Sequence, residues 1–296
     1  GSAENSPWNP RWFPYGSFPL YLLKFIQYGY DWLPMADIHD LRVAGRSISA
    51  LADVVTVAIV YLIGRSAYGR REGLIAAFMA SVAVVHIQLS HFYAVDTLLS
   101  LFTVLSLFFM YLFARGGRYR YSILAGVFIG LGLATKVSQA PILFAYAIAH
   151  ILFVVNGVGT GKPHISALER TRISLCGISG GVVAVLVVLL TLQPYMFLDW
   201  SHFYSDVVEQ SEMVRRIRDY PYTRQYIDTP AYWYQVRQLT TWGLGWPLGI
   251  VAWAGLIYAA LRATPTRFGI AYLAFGWAVP MLLLFFSTSI LIVLCS

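Results

Sequence analysis

Asp96 is a carboxylate with almost no polar sequence around it. It ends the short stretch Ser90-His91-Phe92-Tyr93-Ala94-Val95-Asp96, which separates apolar runs at 74–89 and 97–114. A carboxylate at such a junction costs free energy unless water, a cation or a donor meets it, and ionisable residues at membrane depth commonly mark functional sites. We predict that Asp96 belongs to a functional site. The alternative is that it caps a helix over 97–113, and a capping Asp can also line a site.

Two basic residues, like Asp96, lie at the edges of apolar runs. Lys136 belongs to a short turn within 134–141, and Arg46 directly precedes the apolar run that begins at Ser47. Because cations at headgroup level bind phosphates well, both are predicted to hold a phosphate. The alternative for each is snorkelling to lipid headgroups. Asp53, about two turns into that run, is interpreted as structural, paired with Arg46 or Lys136 or hydrogen-bonded within the bundle.

The segment 194–242 is rich in Tyr and in hydrogen-bonding side chains. Such a mixture suits sugar hydroxyls and ring faces, and it equally suits an aromatic belt at a membrane surface. A helical, charged stretch is predicted over 203–218. We take as candidate substrate-binding residues His91, Tyr195, Tyr222, Arg224 and Tyr226.

Composition places the chain among polytopic membrane proteins. Of its 296 residues, 58% are hydrophobic and 12% are charged, which is typical of neither soluble nor disordered chains. The net charge of +7 does not indicate nucleic acid, because basic residues are expected in cytoplasmic loops. The two cysteines, Cys176 and Cys295, form no metal or disulfide pattern. The Gly-rich segment 157–162 follows no predicted strand, so it is interpreted as a linker and no nucleotide is expected.

The apolar runs predict an all-α bundle of about eight transmembrane helices with outward-facing interfacial loops. The predicted spans are 47–64, 73–89, 97–114, 122–135, 140–155, 173–193, 243–261 and 268–287. We divide the chain into an outer loop with an interfacial helix near 20–26 (1–46), six spans (47–193), a large outer loop (194–242) and two final spans (243–296).

Basic residues predict the orientation. Eleven lie in one set of loops and one, Lys136, in the short loops opposite; the eleven are Arg65, Arg70, Arg71, Arg115, Arg118, Arg120, Lys162, Arg170, Arg172, Arg262 and Arg267. By the positive-inside rule, 1–46, 90–96, 136–139 and 194–242 face outward. We expect a protein integral to the cytoplasmic membrane, surrounded by its lipids, with its active face outward.

Four motifs in order resemble a known family. They are Asp40-Leu41-Arg42-Val43-Ala44-Gly45-Arg46, Tyr68-Gly69-Arg70-Arg71-Glu72-Gly73, the stretch 90–96, and Gly130-Leu131-Gly132-Leu133-Ala134-Thr135-Lys136. Together, over roughly 7–260, they resemble GT-C glycosyltransferases of the protein mannosyltransferase and aminoarabinose transferase-like type. The resemblance implies a polyprenyl-phosphate sugar as donor and an inverting transfer on the outer face. It implies that Asp96, in the second outer loop, is a catalytic acid of the active site and that Lys136 and Arg46 hold the donor phosphate.

The chain departs from this family at its beginning. The family carries its catalytic acid in an Asp-Glu pair after a first helix, and no Asp-Glu pair occurs here. We therefore expect that helix and acid to precede residue 1, and the 296-residue chain alone to transfer sugar poorly. The alternative function is a non-catalytic GT-C-like subunit, a structural or accessory part of a larger membrane complex. The cofactor stays unassigned, with a divalent metal as one option; a transporter fits less well, because the polar residues collect at one end.

Overall fold

The computed structural model describes residues 6–31, 41–156, 165–214 and 233–261, and the positions 217, 218, 220, 221, 224, 229 and 230. Every regular element in these ranges is helical. The helices are α1 Phe18–Asp31, α2 Leu41–Ala67, α3 Arg70–Ser81, α4 Val84–Ser90, α5 Val95–Gly116, α6 Tyr119–Thr135, α7 Ile142–Asn156, α8 Ala167–Leu192, α9 Tyr195–Leu198, α10 Trp200–Val214, α11 Trp233–Gln238 and α12 Trp246–Leu261.

Four elements within the described ranges are long and apolar enough to cross a bilayer. They are α2, α5, α8 and the segment Val137–Val155, which consists of a short 3₁₀ turn and α7. Two shorter apolar helices accompany them: α6 lies between α5 and α7 in the chain, and α12 follows α8. The all-α polytopic class is thus confirmed, whereas the count of eight is not established. The eighth predicted span, 268–287, lies outside the described residues.

The predicted span 73–89 is not one helix. It divides into α3 and α4, which meet at an angle of 60°. Ala83 at the break has an extended backbone, with φ −68° and ψ 122°, and no side chain caps α4. The predicted span is therefore two helices joined at a bend and not one helix, because an apolar run records hydrophobicity and not the course of the backbone.

α6 and α8 are parallel, and their packing against each other forms the centre of the bundle. Gly126 on α6 approaches the backbone of Gly181 on α8 so closely that a Cβ there would lie 2.3 Å from the Gly181 carbonyl oxygen. Beside this contact, the Ser122 hydroxyl lies 2.5 Å from the Tyr146 hydroxyl and 3.0 Å from His150 Nε2. Small residues that permit close backbone approach, reinforced by polar contacts, are the usual means of helix association in bilayers.

The helix ends fall into two groups. One group contains Lys136 and Asp96, which contact each other, and we call it the site end. The opposite group, the basic end, contains the α2–α3 and α5–α6 connections and the start of α8. Its arginines are Arg65, Arg70, Arg71, Arg115, Arg118, Arg120, Arg170 and Arg172. α5 and α6 are antiparallel and joined by a tight turn at the basic end. Asp96, at the start of α5, and Lys136, after the end of α6, therefore lie a full helix length away from that turn.

Two non-spanning helices differ in extent from their predictions. The interfacial helix expected near 20–26 is α1, which is longer and begins at Phe18. The charged helix expected over 203–218 is α10, which ends at Val214. A hydrophobic cluster of Phe13, Tyr195 and Phe203 joins the N-terminal segment to α9 and α10, and Val137 at the site end packs against it.

Candidate active site

Lys136 and Asp96 form an ion pair at the site end of the bundle. Lys136 Nζ lies 2.9 Å from Asp96 Oδ1. Lys136 directly follows α6 in an extended conformation, with φ −161° and ψ 124°, so its side chain leaves the helix. Asp96 is the second residue of α5, where a negative charge near the helix start is favourable. The Lys136 and Asp96 side chains are 29% and 45% exposed, respectively, so the pair lies at an open surface.

The N-cap of α5 is Ala94 and not Asp96. The capping interpretation of Asp96 is therefore wrong in detail, although the residue does lie in the first helical turn. Thr97, the next residue, donates to the Ala94 carbonyl oxygen and to Ser49 Oγ on α2. These buried hydroxyl contacts fix the start of α5 against α2 and leave the Asp96 carboxylate for Lys136.

An aromatic ring from the N-terminal segment completes the surroundings of the pair. Lys136 Nζ lies 5.4 Å from the centre of the Tyr15 ring, a distance typical of a cation–π contact. The adjacent Gly16 donates its backbone N–H to the Thr135 carbonyl oxygen at 2.9 Å. A Cβ at Gly16 would lie 1.8 Å from the Ala134 carbonyl oxygen. Only glycine allows this segment to lie on the α6 terminus, and the segment thereby carries Tyr15 to Lys136.

Gln139 lies one turn beyond Lys136 and is almost fully buried. Its Oε1 accepts a hydrogen bond from Thr103 Oγ1 at 2.9 Å. Its Nε2 is buried without a partner among the described residues. The Thr103 contact ties the turn after α6 to α5, so both partners of the ion pair are held by buried polar contacts in their immediate neighbourhood.

The outer segment after α8 is tied to the chain start. Asn9 Nδ2 donates to Asp199 Oδ2 at 2.7 Å, and His202 Nδ1 lies 2.6 Å from Asp199 Oδ1. The Phe13 backbone N–H donates to Asp206 Oδ2 at 2.6 Å. The hydrogen bond from Asn9, and then the neighbouring His202, lower the pKa of the Asp199 carboxyl below its ordinary value, although burial opposes them. The carboxylate is therefore charged at neutral pH and fixes α10 beside the Tyr15 segment.

The remaining predicted site residues are spread around this end. Arg46 is exposed on α2, and no hydrogen bond or ion pair in the described part of the chain joins it to Lys136 or Asp96. His91 is exposed, and its Nδ1 lies 2.6 Å from the Ile87 carbonyl oxygen of its own helix. Tyr195 is buried, and its hydroxyl donates to Ser6 Oγ at 2.6 Å. Arg224 is exposed, and Tyr222 and Tyr226 lie outside the described residues. Their assignments as binding residues stay predictions.

A second acidic residue has a partner that the sequence did not indicate. Asp53 Oδ1 on α2 lies 2.6 Å from His86 Nδ1 on α4. The expectation that Asp53 pairs with Arg46 or Lys136 is wrong, and the expectation of a hydrogen bond within the bundle is confirmed. The bend between α3 and α4 directs the course of α4, and no spacing in the sequence indicates that bend.

An apolar cavity of about 510 Å³ lies between α1 and the end of α8. Its walls are mainly aromatic and aliphatic, with Trp8, Tyr21, Phe25, Leu192 and Tyr195 among them. No group of three or more His, Cys, Asp or Glu side chains suited to a metal occurs among the described residues. No residue set for a metal can therefore be named from this part of the chain.

The fold and this site define an all-helical polytopic membrane protein with an ion pair beside an aromatic ring at one end of its bundle. Residues 32–191, more than half of the chain, match the family model described as dolichyl-phosphate-mannose-protein mannosyltransferase. The chain belongs to that family, which confirms the resemblance to GT-C enzymes. The match includes Arg46, Asp96 and Lys136, and it ends before α9.

One curated relative is a putative mannosyltransferase, YkcB, from Bacillus subtilis (strain 168). It is 26% identical over 130 residues, which make up 44% of this chain and 18% of the relative. The chain thus spans less than one fifth of that relative's length. No solved structure matches the chain significantly.

Proposed function

We propose that this chain forms the donor-binding part of an integral-membrane glycosyltransferase that uses a polyprenyl-phosphate sugar on the extracytoplasmic face. The observation that carries the proposal is the ion pair between Lys136 and Asp96 beneath the Tyr15 ring. It brings a cation, a carboxylate and an aromatic face together at the end of the bundle opposite the arginine-rich connections. Membership of the mannosyltransferase family supports the same reaction class.

The chemistry requires a cation where negative charge develops. In the transfer, the bond between the anomeric carbon and the phosphate oxygen breaks, and a bond to the acceptor oxygen or nitrogen forms on the opposite face. The departing polyprenyl phosphate gains negative charge, which a fixed ammonium group stabilises. An ammonium with one N–H directed to Asp96 keeps two further N–H donors for a phosphate. Lys136 is thus suited to the phosphate.

The acceptor loses a proton in the same transfer, and a carboxylate is the ordinary base for that step. Asp96 is nearly half exposed and lies next to the Lys136 ammonium, so it is placed beside the phosphate that Lys136 would hold. In this proposal, Asp96 orients Lys136 and takes part in proton removal, and the Tyr15 ring lies beside the pair. The sugar would lie over Tyr15, because ring faces of tyrosine suit the apolar faces of sugars.

The test is transfer from a labelled polyprenyl-phosphate sugar by the protein expressed from its complete coding sequence and reconstituted in proteoliposomes. We expect Lys136→Gln to reduce turnover about 10²–10³-fold and Asp96→Asn about 10²–10⁴-fold. The matched control is Lys24→Gln, because Lys24 is also a lysine over a tyrosine ring, at 5.1 Å from that of Tyr28. It is exposed on α1 and should have no effect.

Three results would contradict the proposal. Full turnover in both site variants would remove the ion pair from the mechanism. A wild-type protein that folds but transfers no sugar from any polyprenyl-phosphate donor would favour the accessory-subunit alternative. Transfer of sugar directly from a nucleotide sugar would contradict the proposed polyprenyl-phosphate donor.

A further inference from the structure

A large cavity lies at the basic end of the bundle, remote from Lys136 and Asp96. Its volume is about 1190 Å³. The tight turn between α5 and α6 forms one wall, with Gly117 in the left-handed conformation at φ 61°. The first three turns of α8 form the other wall, with Glu169, Arg172 and Cys176 facing the cavity. It belongs to a different end of the molecule from the proposed glycosyl-transfer site.

The cavity carries an excess of positive charge. Three arginines line it, Arg118 and Arg120 from the turn and Arg172 from α8, against one acid, Glu169. None of the three guanidinium groups forms an ion pair with a carboxylate in the part of the chain that the structure describes. Arginine binds phosphate groups with two parallel N–H donors. An anion with phosphate oxygens would therefore satisfy donors that the protein itself leaves without a carboxylate.

The cavity also has an apolar side that a free anion would not need. Leu168 and Ile173 line it together with Cys176, and Leu168 is 82% exposed. Cys176 lies one turn beyond Arg172 on α8, which is about 6 Å further along the helix axis. From Cys176 onward, α8 is an apolar spanning helix with exposed aliphatic side chains, Val182, Val183, Leu186 and Leu190 among them. The cavity thus combines charged and apolar walls, and α8 continues from it as an apolar helix.

We propose that this cavity binds the headgroup phosphate of an anionic glycerophospholipid from the leaflet at the basic end. Arg118, Arg120 and Arg172 contact the phosphate, and the acyl chains lie along the exposed face of α8. Basic pockets between spanning helices commonly bind anionic lipid headgroups, and each basic side chain near the surface adds to the attraction. The Arg120 guanidinium also lies 5.1 Å from the centre of the Tyr121 ring, a contact that restricts its orientation.

Cys176 provides a direct probe, because it is exposed and lines the cavity. In a Cys295→Ser background, Cys176 would be labelled with a maleimide in nanodiscs of phosphatidylcholine alone and in nanodiscs that also contain phosphatidylglycerol. We expect phosphatidylglycerol to slow labelling several-fold. In Arg118→Gln/Arg172→Gln, the phosphatidylglycerol concentration needed for protection should rise about 30-fold, which corresponds to the loss of two basic contacts. Native mass spectrometry should show that the Arg118→Gln/Arg172→Gln variant retains one phosphatidylglycerol fewer than the Cys295→Ser protein.

The matched control is Arg65→Gln/Arg71→Gln, which removes the same charge at the same end from exposed arginines outside the cavity. It should keep both the protection and the retained lipid. Equal weakening by the control would show general attraction to a charged membrane and overturn the site. Protection by inorganic phosphate in phosphatidylcholine nanodiscs, equal to that by phosphatidylglycerol, would assign the arginines to a free anion and also overturn the lipid proposal. The proposal does not depend on sugar transfer.

Discussion

The ammonium group of Lys136 lies 2.9 Å from a carboxylate oxygen of Asp96, although 40 residues separate them in the chain. Each residue follows or begins a helix that is fixed by buried hydroxyl or amide contacts, so the pair is positioned by the bundle. A pair this exposed contributes little to stability, since surface ion pairs are typically worth about 0.2–1 kcal/mol. In the proposed function, the pair holds two opposite charges where a ligand would reach both.

The first prediction separates stability from activity at this pair. In a double-mutant cycle of Asp96→Asn and Lys136→Gln, we expect a coupling free energy of unfolding below about 1 kcal/mol, because water screens both groups. Thermal or denaturant unfolding in detergent measures it. A coupling of several kcal/mol would show that the pair is chiefly structural, and turnover losses in the variants would then follow from unfolding.

The second prediction concerns the segment that carries Tyr15. Gly16→Ala places a methyl group against the Ala134 carbonyl oxygen, so the segment has to move away from Lys136. We expect a clear loss of transfer activity, together with easier proteolysis near the chain start, while the bundle stays helical by circular dichroism. Gly29→Ala is the matched control, because a Cβ there meets no atom within 4 Å. Equal activity of the two variants would contradict the role of the segment.

The third prediction concerns pH. The pKa of Asp199 is lowered in the folded protein, first by its hydrogen bond from Asn9. A lowered carboxyl pKa adds stability that is fully present above the unfolded value of about 3.9 and is lost as the pH falls through the folded value. Asn9→Ala should therefore destabilise the protein at neutral pH by about 1–3 kcal/mol. The difference from wild type should shrink below about pH 4.

Thermal unfolding across this acidic range measures the effect of Asn9→Ala. Gln88→Ala, at an exposed position on α4, serves as a control whose effect should not depend on pH. A constant difference between wild type and Asn9→Ala at every pH would show that the hydrogen bond does not act through the Asp199 charge.

The fourth prediction concerns orientation in the membrane. With Cys176 and Cys295 replaced by Ser, single cysteines at positions 118 and 205 occupy exposed sites at the basic end and in α10. We expect an impermeant maleimide to label position 205 in intact cells and position 118 only after permeabilisation, because basic loops stay in the cytoplasm. The reverse pattern would invert the topology and exclude an outward-facing transfer site.

Hydrophobicity made most of the helices predictable. The runs that gave 47–64, 97–114 and 173–193 correspond to α2, α5 and α8, and each observed helix extends a few residues beyond its apolar run. Such extensions are expected, since polar residues at the ends of a spanning helix remain in water. The approach of Asp96 to Lys136 was also foreseeable, because two polar turns on one side of a compact bundle have few other places to lie.

The long-range polar pairs could not be foreseen. Asn9 and Asp199 are 190 residues apart, and nothing in their spacing or in their local sequence connects them. His86 meets Asp53 because α4 departs from the direction of α3, and the break at Ala83 contains neither Pro nor Gly. Tyr15 reaches Lys136 only through the backbone contact of Gly16. These contacts depend on the tertiary course of the backbone, which residue types alone do not encode.

The bend between α3 and α4 also affects the surrounding lipid. Their 12 and 7 residues would rise about 29 Å in a straight helix. With the 60° bend, they reach only about 23 Å along the axis of α3, against about 30 Å for a typical hydrocarbon core. If α3 lies along the membrane normal and the bent pair is one span, lipids beside it would have to compress or tilt to match it, at a cost of a fraction of a kcal/mol for each ångström. A bent span of this length would favour a thin bilayer, and we expect the protein to partition away from thick, sterol-rich or long-chain membranes.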